Sequence, residues 1–177
     1  MRIVVQRVGR AAVEVDGKVV GEIGSGLLLF VGVGRDDVSP WARGSDDAVE
    51  PAAAAGPKVA AALAHKVANL RMFQDSEGKS NLSLLETGGS ALVISQFTLY
   101  ADCRRGRRPS FTDAGDPVTA EALVEEFRAA LEKLGVRTAA GRFGAHMTVS
   151  LVNNGPYTIL LDSEALAGPR SGHRKGD

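Results

Sequence analysis

Histidine and cysteine, two residue types that often carry out catalysis, are scarce in this sequence. The only histidines are His65, His146 and His173. His65 falls beside an apolar helical stripe and His173 in the C-terminal tail, so packing or solvent exposure suits both better than proton transfer. His146 stands just before a predicted strand and is the one candidate for a general acid or base, although an ordinary histidine looks the same. No HExxH or CxxC pattern occurs, so we expect neither a metal nor a cofactor.

The only cysteine, Cys103, lies in an arginine-rich segment. Neighbouring cations lower the pKa of a thiol and enrich the nucleophilic thiolate, but no base adjoins this cysteine in sequence. A surface thiol is therefore the simpler interpretation, and a Cys103-dependent hydrolase or redox protein stays as an alternative. The four arginines that follow are Arg104, Arg105, Arg107 and Arg108. Because guanidinium groups bind phosphate bidentately, they indicate either a phosphate-bearing ligand or a solvated charged loop.

Composition limits the class of protein. The chain has 177 residues, of which 21 are Lys or Arg and 21 are Asp or Glu, and 44% are hydrophobic. This length corresponds to one domain with its own core, and the balanced charge excludes a polybasic protein that wraps nucleic acid. The longest apolar run, at 26–34, is far shorter than the roughly 20 residues that span a bilayer, and the N-terminus resembles a strand rather than a signal peptide. We expect a cytoplasmic globular protein without membrane contact.

Hydrophobic periodicity predicts seven or eight strands and two main helices. The strands are predicted at 3–8, 11–15, 18–23, 27–33, within 90–99, and at 136–138, 147–152 and 157–161. Asp16-Gly17 predicts a hairpin turn, one helix begins at Pro57, and a second begins at Pro117 and ends at Gly135. Because hairpins open the chain and no βαβ rhythm follows, we expect a single α+β domain with a mixed or largely antiparallel sheet.

Two segments interrupt this pattern. Residues 38–56 have neither strand nor helix periodicity and predict an exposed inserted loop. Residues 163–177 are rich in Gly, Pro and cations and predict a disordered tail. The domain itself is therefore expected at 1–162.

Two segments taken together resemble the signature motifs of D-aminoacyl-tRNA deacylases. Residues 95–99 read SQFTL and match SQxxL, and residues 153–158 read NNGPYT and match NxGPxT. Supporting matches occur in the family's order at 1–8, 78–82, 106–111 and 141–147. Each match is weak alone, but the set is specific and covers about residues 1–162. Tyr157 departs from the family pattern, which has a smaller aliphatic residue there.

The resemblance implies a barrel-like homodimer that hydrolyses the ester joining a D-amino acid, or glycine mischarged on tRNA-Ala, to the 3′ end of tRNA. The resemblance also implies that the nucleic-acid partner is tRNA and not DNA. It also implies a site at the subunit interface, where the backbone of Ser95, Gln96 and Phe97 meets Gly155 and a cis Pro156 from the other chain. For an arbitrary X-Pro bond, the cis form occurs only about 5% of the time.

This resemblance also accounts for the scarcity of catalytic side chains. An aminoacyl ester is already activated, so a positioned water and amide donors near Phe97 and Thr98 suffice for hydrolysis, with the ribose hydroxyl as the implied proton shuttle. The hydroxyl of Thr98 is an alternative nucleophile without a visible base, so we expect Thr98→Ala to keep substantial hydrolysis.

Three further residues have an expected supporting role. Phe143 and Met147 are expected to wall the adenosine pocket, and Arg7 to brace the Gly-Pro segment. The alternative for these residues is ordinary packing and a surface cation. A non-catalytic dimer that binds RNA ends or nucleotides is the other alternative for the whole protein.

Overall fold

The computed structural model describes residues 1–38 and 55–167. Its strands are Arg2–Val15 (β1), Lys18–Ile23 (β2), Gly26–Gly32 (β3), Phe73–Gln74 (β4), Ser80–Leu82 (β5), Ser90–Ser95 (β6), Arg137–Ala140 (β7) and Thr148–Asp162 (β8). Its helices are Arg35–Val38 (α1), Ala55–Asn69 (α2), Leu84–Thr87 (α3), Pro117–Lys133 (α4) and Ser163–Ala167 (α5), with a 3-10 helix at Phe97–Tyr100. Apart from its ends, the loop predicted at 38–56 lies outside the described residues.

The main sheet is built around β1, in the order β2-β1-β3-β6-β7, with β8 also paired to β1. β1 runs antiparallel to β2, β3 and β8, whereas β6 runs parallel to both β3 and β7. This confirms the predicted α+β domain with a mixed sheet. A Cβ added to Gly21 of β2 would lie 2.7 Å from the carbonyl oxygen of Ala140 in β7. The two ends of the sheet therefore approach each other, and the sheet is nearly closed into a barrel.

Two long strands replace two pairs of predicted strands. β1 continues through 2–15 and β8 through 148–162. The register between them shifts on both sides of Val8, first between Gln6 and Val8, opposite residues 153–158, and again between Val8 and Arg10. Glycine and proline interrupt the apolar pattern of both segments, but these residues also occur at bulges and on edge strands and need not end a strand. β8 has β1 as its only sheet neighbour among the described strands, so Pro156 lies on an edge, where a missing N–H costs no ladder bond.

The two predicted helices cover the sheet and bury its core. Leu63 and Val67 of α2 and Leu123 and Phe127 of α4 are all buried in one apolar cluster with β1, β3 and β6. α2 begins at Ala55, two residues before the proline at which the sequence predicted its start.

Three further helices, α1, α3 and α5, were not predicted, because a helix of four or five residues shows no periodicity. α3 depends on local capping, in which the Ser83 hydroxyl and the Glu86 carboxylate bond each other's backbone amides. α5 occupies 163–167, where the sequence predicted the start of a disordered tail, and the rest of that tail lies outside the described residues. Among the described residues, none of the helices has the length and apolar character needed to cross a membrane.

The predicted hairpin turn between β1 and β2 is confirmed. Asp16 and Gly17 both have positive φ, 51° and 72°, and the strands pair directly at Val15 and Lys18. Such a two-residue turn matches the twist of the strands that it joins.

Candidate active site

A cavity of about 480 Å³ opens where the parallel strands β3 and β6 end. Because parallel strands end at the same edge of a sheet, Val31 and Ser95 lie side by side there. The start of α4 and the segment that precedes β8 complete the walls. The lining residues are Val31, Val33, Ile94, Ser95, Gln96, Phe97, Ala114, Gly115, Pro117, Val124, Phe143, Gly144, Ala145, His146, Met147 and Val149.

The chain turns from β6 into the 3-10 helix at the edge of this cavity. The amide of Gln96 donates to the carbonyl of Val31 at 2.8 Å, and the carbonyl of Gln96 accepts from the amide of Leu99 at 3.3 Å. The first amides of a helix have no acceptor within it, so those of Phe97 and Thr98 have no intrahelical partner. Phe97 lines the cavity and is 58% exposed, which places this residue at the mouth.

The structure brings together most of the residues predicted from the first motif. Ser95, Gln96 and Phe97 line the cavity, whereas Thr98 does not. The side-chain amide of Gln96 donates to the hydroxyl of Thr98. This hydrogen bond joins the two side chains on the outer part of the turn.

The end of the 3-10 helix is anchored by side chains from distant parts of the chain. Arg2 donates to the carbonyl of Leu99 and to the carboxylate of Asp162, each at 3.0 Å, and its guanidinium lies 4.4 Å from the centroid of the Tyr100 ring. The Tyr100 hydroxyl donates to Asp37 at 3.1 Å. Burial and the nearby carboxylate raise the pKa of Tyr100, so its hydroxyl stays a proton donor.

Sequence reasoning missed this anchor. Arg2, Asp37 and Tyr100 are far apart in the chain and show no common spacing, so only folding makes them neighbours.

Gly155 and Pro156 lie apart from the cavity of their own chain. Both are exposed on β8, the peptide bond between them is cis, and neither is among the residues that line the cavity. One chain therefore does not bring the two signature segments together.

Arg7 contacts the backbone immediately before Gly155. Its Nε donates to the carbonyl of Asn154 at 2.8 Å, and its Nη1 donates to the carbonyl of Met72. The guanidinium also lies 4.6 Å from the centroid of the Tyr157 ring. Arg7 is only 7% exposed, so it is a buried cation rather than a surface one.

The remaining candidates fall into two groups. Phe143, Met147 and His146 line the cavity. Cys103 is exposed outside it. No cluster of three or more potential metal ligands occurs in the described ranges, 1–38 and 55–167.

The fold of this chain is shared with solved structures, one of which is described as a tRNA deacylase. A structure described as a probable eukaryotic D-amino acid tRNA deacylase matches with a TM-score of 0.67 at 17% identity, covering 90% of this chain and 97% of its own, which shows a shared fold. A structure described as c-Myc DNA Unwinding Element Binding Protein matches with a TM-score of 0.74 at 32% identity, covering 92% of this chain and 98% of its own.

Sequence comparison then gives the family. The family model for D-Tyr-tRNA(Tyr) deacylase matches residues 4–162. A D-aminoacyl-tRNA deacylase of Roseiflexus castenholzii is 52% identical over 99% of this chain and all of its own, and one of Thermomicrobium roseum is 53% identical over 95% and 97%. The chain belongs to the D-Tyr-tRNA(Tyr) deacylase family. The motifs predicted a deacylase, which is a hydrolytic enzyme, and this prediction is confirmed.

Proposed function

We propose that this protein hydrolyses the ester bond of D-aminoacyl-tRNA in the cytoplasm and releases a free D-amino acid and tRNA. Glycine mischarged on tRNA-Ala is proposed as a second substrate. The main supporting observation is a pair of backbone amides, those of Phe97 and Thr98. They begin a helix at the edge of the cavity, and neither has an acceptor within that helix. Membership of the family and the names of the relatives support it.

The proposed reaction needs no nucleophile from the protein. Water attacks the ester carbonyl carbon, and the carbonyl oxygen becomes an oxyanion that accepts from the amides of Phe97 and Thr98. The intermediate then collapses, the bond to the ribose oxygen breaks, and a proton from the attacking water passes to that oxygen through the neighbouring ribose hydroxyl, while the remaining OH stays on the released amino acid. Each preorganised donor of this kind typically contributes about 2.7–4 kcal/mol to transition-state stabilisation.

The geometry supports preorganisation of these amides. Gln96 is tied to the end of β3 through Val31, and the far end of the 3-10 helix is tied to Arg2. Donors fixed at both ends of their turn do not need to reorganise when charge develops on the oxyanion.

The cavity is suited to the terminal adenosine of tRNA. Its volume of about 480 Å³ lies in the range of small-ligand pockets, and its walls are mostly apolar. Phe143 offers an aromatic face for the base, and Met147 offers a deformable apolar side chain beside it.

The proposal includes a homodimer in which Gly155 and Pro156 of one copy enter the cavity of the other. In support, both residues are exposed on an edge strand and lie apart from the cavity of their own chain. Backbone carbonyls there would accept from the α-ammonium group of the substrate. An L side chain would then point into the main chain, and such steric exclusion discriminates more strongly than a missing contact.

Two alternatives have less support. A thiol mechanism would place Cys103 beside a base, but the cysteine is exposed next to Asp102, whose carboxylate is paired with Arg104. A non-catalytic dimer that binds RNA ends would use the same cavity without turnover.

One assay separates these functions. Purified protein is mixed in excess with D-Tyr-tRNA, L-Tyr-tRNA or glycyl-tRNA-Ala, and the release of amino acid is followed in a single turnover. We expect rapid release of D-Tyr and glycine, L-Tyr released at least about 100-fold more slowly, and the same rates after alkylation of Cys103. Equal rates for the two enantiomers, or binding without release, would contradict the proposal.

A further inference from the structure

We propose that residues 103–109, here called the arginine loop, bind the phosphates of the tRNA strand next to its terminal adenosine. This inference rests on the proposed function, because it assumes that the adenosine occupies the cavity described above. It adds a second contact region that holds the RNA strand without touching the ester.

The arginine loop is fastened to the rim of the cavity at both ends. Its base is closed by two backbone hydrogen bonds between Asp102 and Ser110, of 2.7 and 2.9 Å. The 3-10 helix at the cavity edge directly precedes this base. Directly after it, the ring of Phe111 meets the ring of Phe97 edge to face, with 5.1 Å between centroids. The loop therefore cannot lie far from the mouth.

The chain continues from the loop into the cavity wall. Arg35 donates to the carbonyl of Thr112, and its amide donates to the carbonyl of Asp113 at 2.9 Å. Ala114 and Gly115 then line the cavity. Arg108 is three residues from Phe111, so at most about 11 Å of extended backbone separates them. An RNA strand that leaves the mouth on this side passes within reach of a long guanidinium side chain.

The charge of the loop is only partly compensated. Arg104 is committed to Asp102 through Nε at 2.8 Å and Nη2 at 2.7 Å. The carboxylate of Asp113 also helps to raise the pKa of Arg104 through its negative charge.

The other three arginines of the loop are exposed, and none forms an ion pair with another described residue: Arg105, Arg107 and Arg108. Three guanidiniums therefore remain available on a chain whose net charge is zero.

Phosphate is the ligand group that this arrangement fits. Guanidinium forks bind phosphate oxygens bidentately, and contacts to phosphate position a nucleic acid without reading its sequence. A contact of this kind serves an enzyme that must accept many tRNAs through the same 3′ end. Because each neutralised phosphate releases counterions, the three arginines must also make the reaction sensitive to salt.

The test compares a loop variant with a matched control on two substrates. The loop variant carries Arg105→Gln, Arg107→Gln and Arg108→Gln, and the control carries Lys18→Gln, Lys66→Gln and Lys133→Gln, three exposed cations elsewhere. The substrates are D-Tyr-tRNA and D-tyrosyl-adenosine, an ester without any phosphate. Steady-state kinetics are measured between 50 and 300 mM KCl.

We expect the loop variant to raise KM for D-Tyr-tRNA about tenfold, as three exposed charge contacts of ordinary strength would, and to leave kcat within about twofold. The slope of log kcat/KM against log salt should become shallower by about 2, at about 0.7–0.9 for each lost phosphate contact. Hydrolysis of D-tyrosyl-adenosine should not change, and the control variant should behave as wild type on both substrates.

Two results would overturn the inference. One is an unchanged KM and salt slope, and the other is an equal loss on both substrates, which would mean a structural role. If the wild type hydrolyses neither substrate, the proposed function fails instead. In that case, fluorescence anisotropy with uncharged tRNA tests the arginine loop separately. Weaker and less salt-dependent binding by the loop variant, but not by the control variant, would support the inference. Unchanged binding would refute it.

Discussion

Phe97 contributes two separable groups to the candidate site, an amide at the start of the 3-10 helix and an exposed ring at the mouth. Phe97→Pro removes the amide proton, whereas Phe97→Ala removes only the ring. Proline is tolerated at the first position of a helix, and Gln96 before it is already outside the α region, at φ −145° and ψ 81°. We expect kcat of Phe97→Pro to fall about 100-fold below that of Phe97→Ala.

Single-turnover hydrolysis of D-Tyr-tRNA measures this difference, and thermal melts monitored by circular dichroism check that both variants are folded. Similar rates for the two folded variants would mean that this amide does not stabilise the oxyanion. A loss in both variants would assign the effect to the ring.

Arg7 holds the segment around Gly155 through a planar fork that lysine does not have. Arg7→Lys keeps the charge, but one ammonium cannot bond the carbonyls of Asn154 and Met72 and also cover the Tyr157 ring. At least one buried contact is lost, so we expect the free energy of unfolding to fall by about 1–3 kcal/mol, together with a lower kcat. Urea unfolding and deacylation assays measure both quantities.

Arg10→Lys is the control for this prediction, because Arg10 is exposed on the same strand. It should change the free energy of unfolding by less than about 0.5 kcal/mol. If Arg7→Lys lowers stability but leaves deacylation unchanged, Arg7 supports the fold and not the site.

Individual residues of the site were predictable only where a motif carried them. The SQxxL motif predicted Ser95, Gln96 and Phe97 as site residues, and all three line the cavity. Arg2 and Tyr100 carry no such signal, because an arginine at the start of a strand usually faces solvent and a tyrosine usually packs. Their contacts depend on the distance between β1 and the 3-10 helix, which only the folded chain defines.

At the scale of elements, the end of β3 sets the position of the 3-10 helix. A Cβ added to Gly32 would lie 2.9 Å from the carbonyl oxygen of Gln96 and 3.1 Å from the Cβ of Leu99. We expect Gly32→Ala to displace the turn, to lower kcat by about tenfold or more, and to destabilise the fold by about 1–3 kcal/mol. KM should change less than kcat, because the part of the cavity wall that contains Phe143 and Met147 does not contact Gly32.

Gly24→Ala is a suitable control, since a Cβ at Gly24 would have no atom within 4 Å. Deacylation kinetics and urea unfolding should be close to wild type for this variant. A normal kcat for Gly32→Ala would show that the turn adapts and that its position is not critical.

Elements were predictable in proportion to their length and periodicity. α2 and α4 showed an apolar stripe over several turns, and the hairpin at 15–18 showed a turn dipeptide between alternating strands. The continuity of β1 and β8 was not predictable, because a bulge and a turn use the same residue types. A bulge differs from a turn in the strand with which the following residues pair, and that pairing follows from the register of the whole sheet.

At the scale of the whole molecule, a single chain leaves its two signature segments unconnected. Ser95 to Phe97 line the cavity, whereas Gly155 and Pro156 face outward from the edge strand. The proposed symmetric dimer would explain why one copy does not combine the two motifs, because each chain would then supply one half of each site. Only the resemblance of the two motifs to a known family predicted this arrangement, since hydrophobic periodicity reports burial within a chain and not contact between chains.

Complementation between two inactive variants tests this arrangement. One protomer carries Phe97→Pro and the other Gly155→Val, in which the added Cβ would lie 2.5 Å from the backbone nitrogen of Tyr157. In a mixed dimer with shared sites, one site receives both substitutions and the other receives none. Co-expression with two different tags and tandem purification isolates the mixed dimers.

We expect each homodimer to be nearly inactive and the mixed dimer to regain about half of the wild-type rate per dimer, because one of its two equivalent sites is intact. A site built within one chain gives a different result, since every site would then carry one of the substitutions and no activity would return. Full activity in a monomer, measured at a protein concentration where sedimentation shows single chains, would equally exclude a shared site.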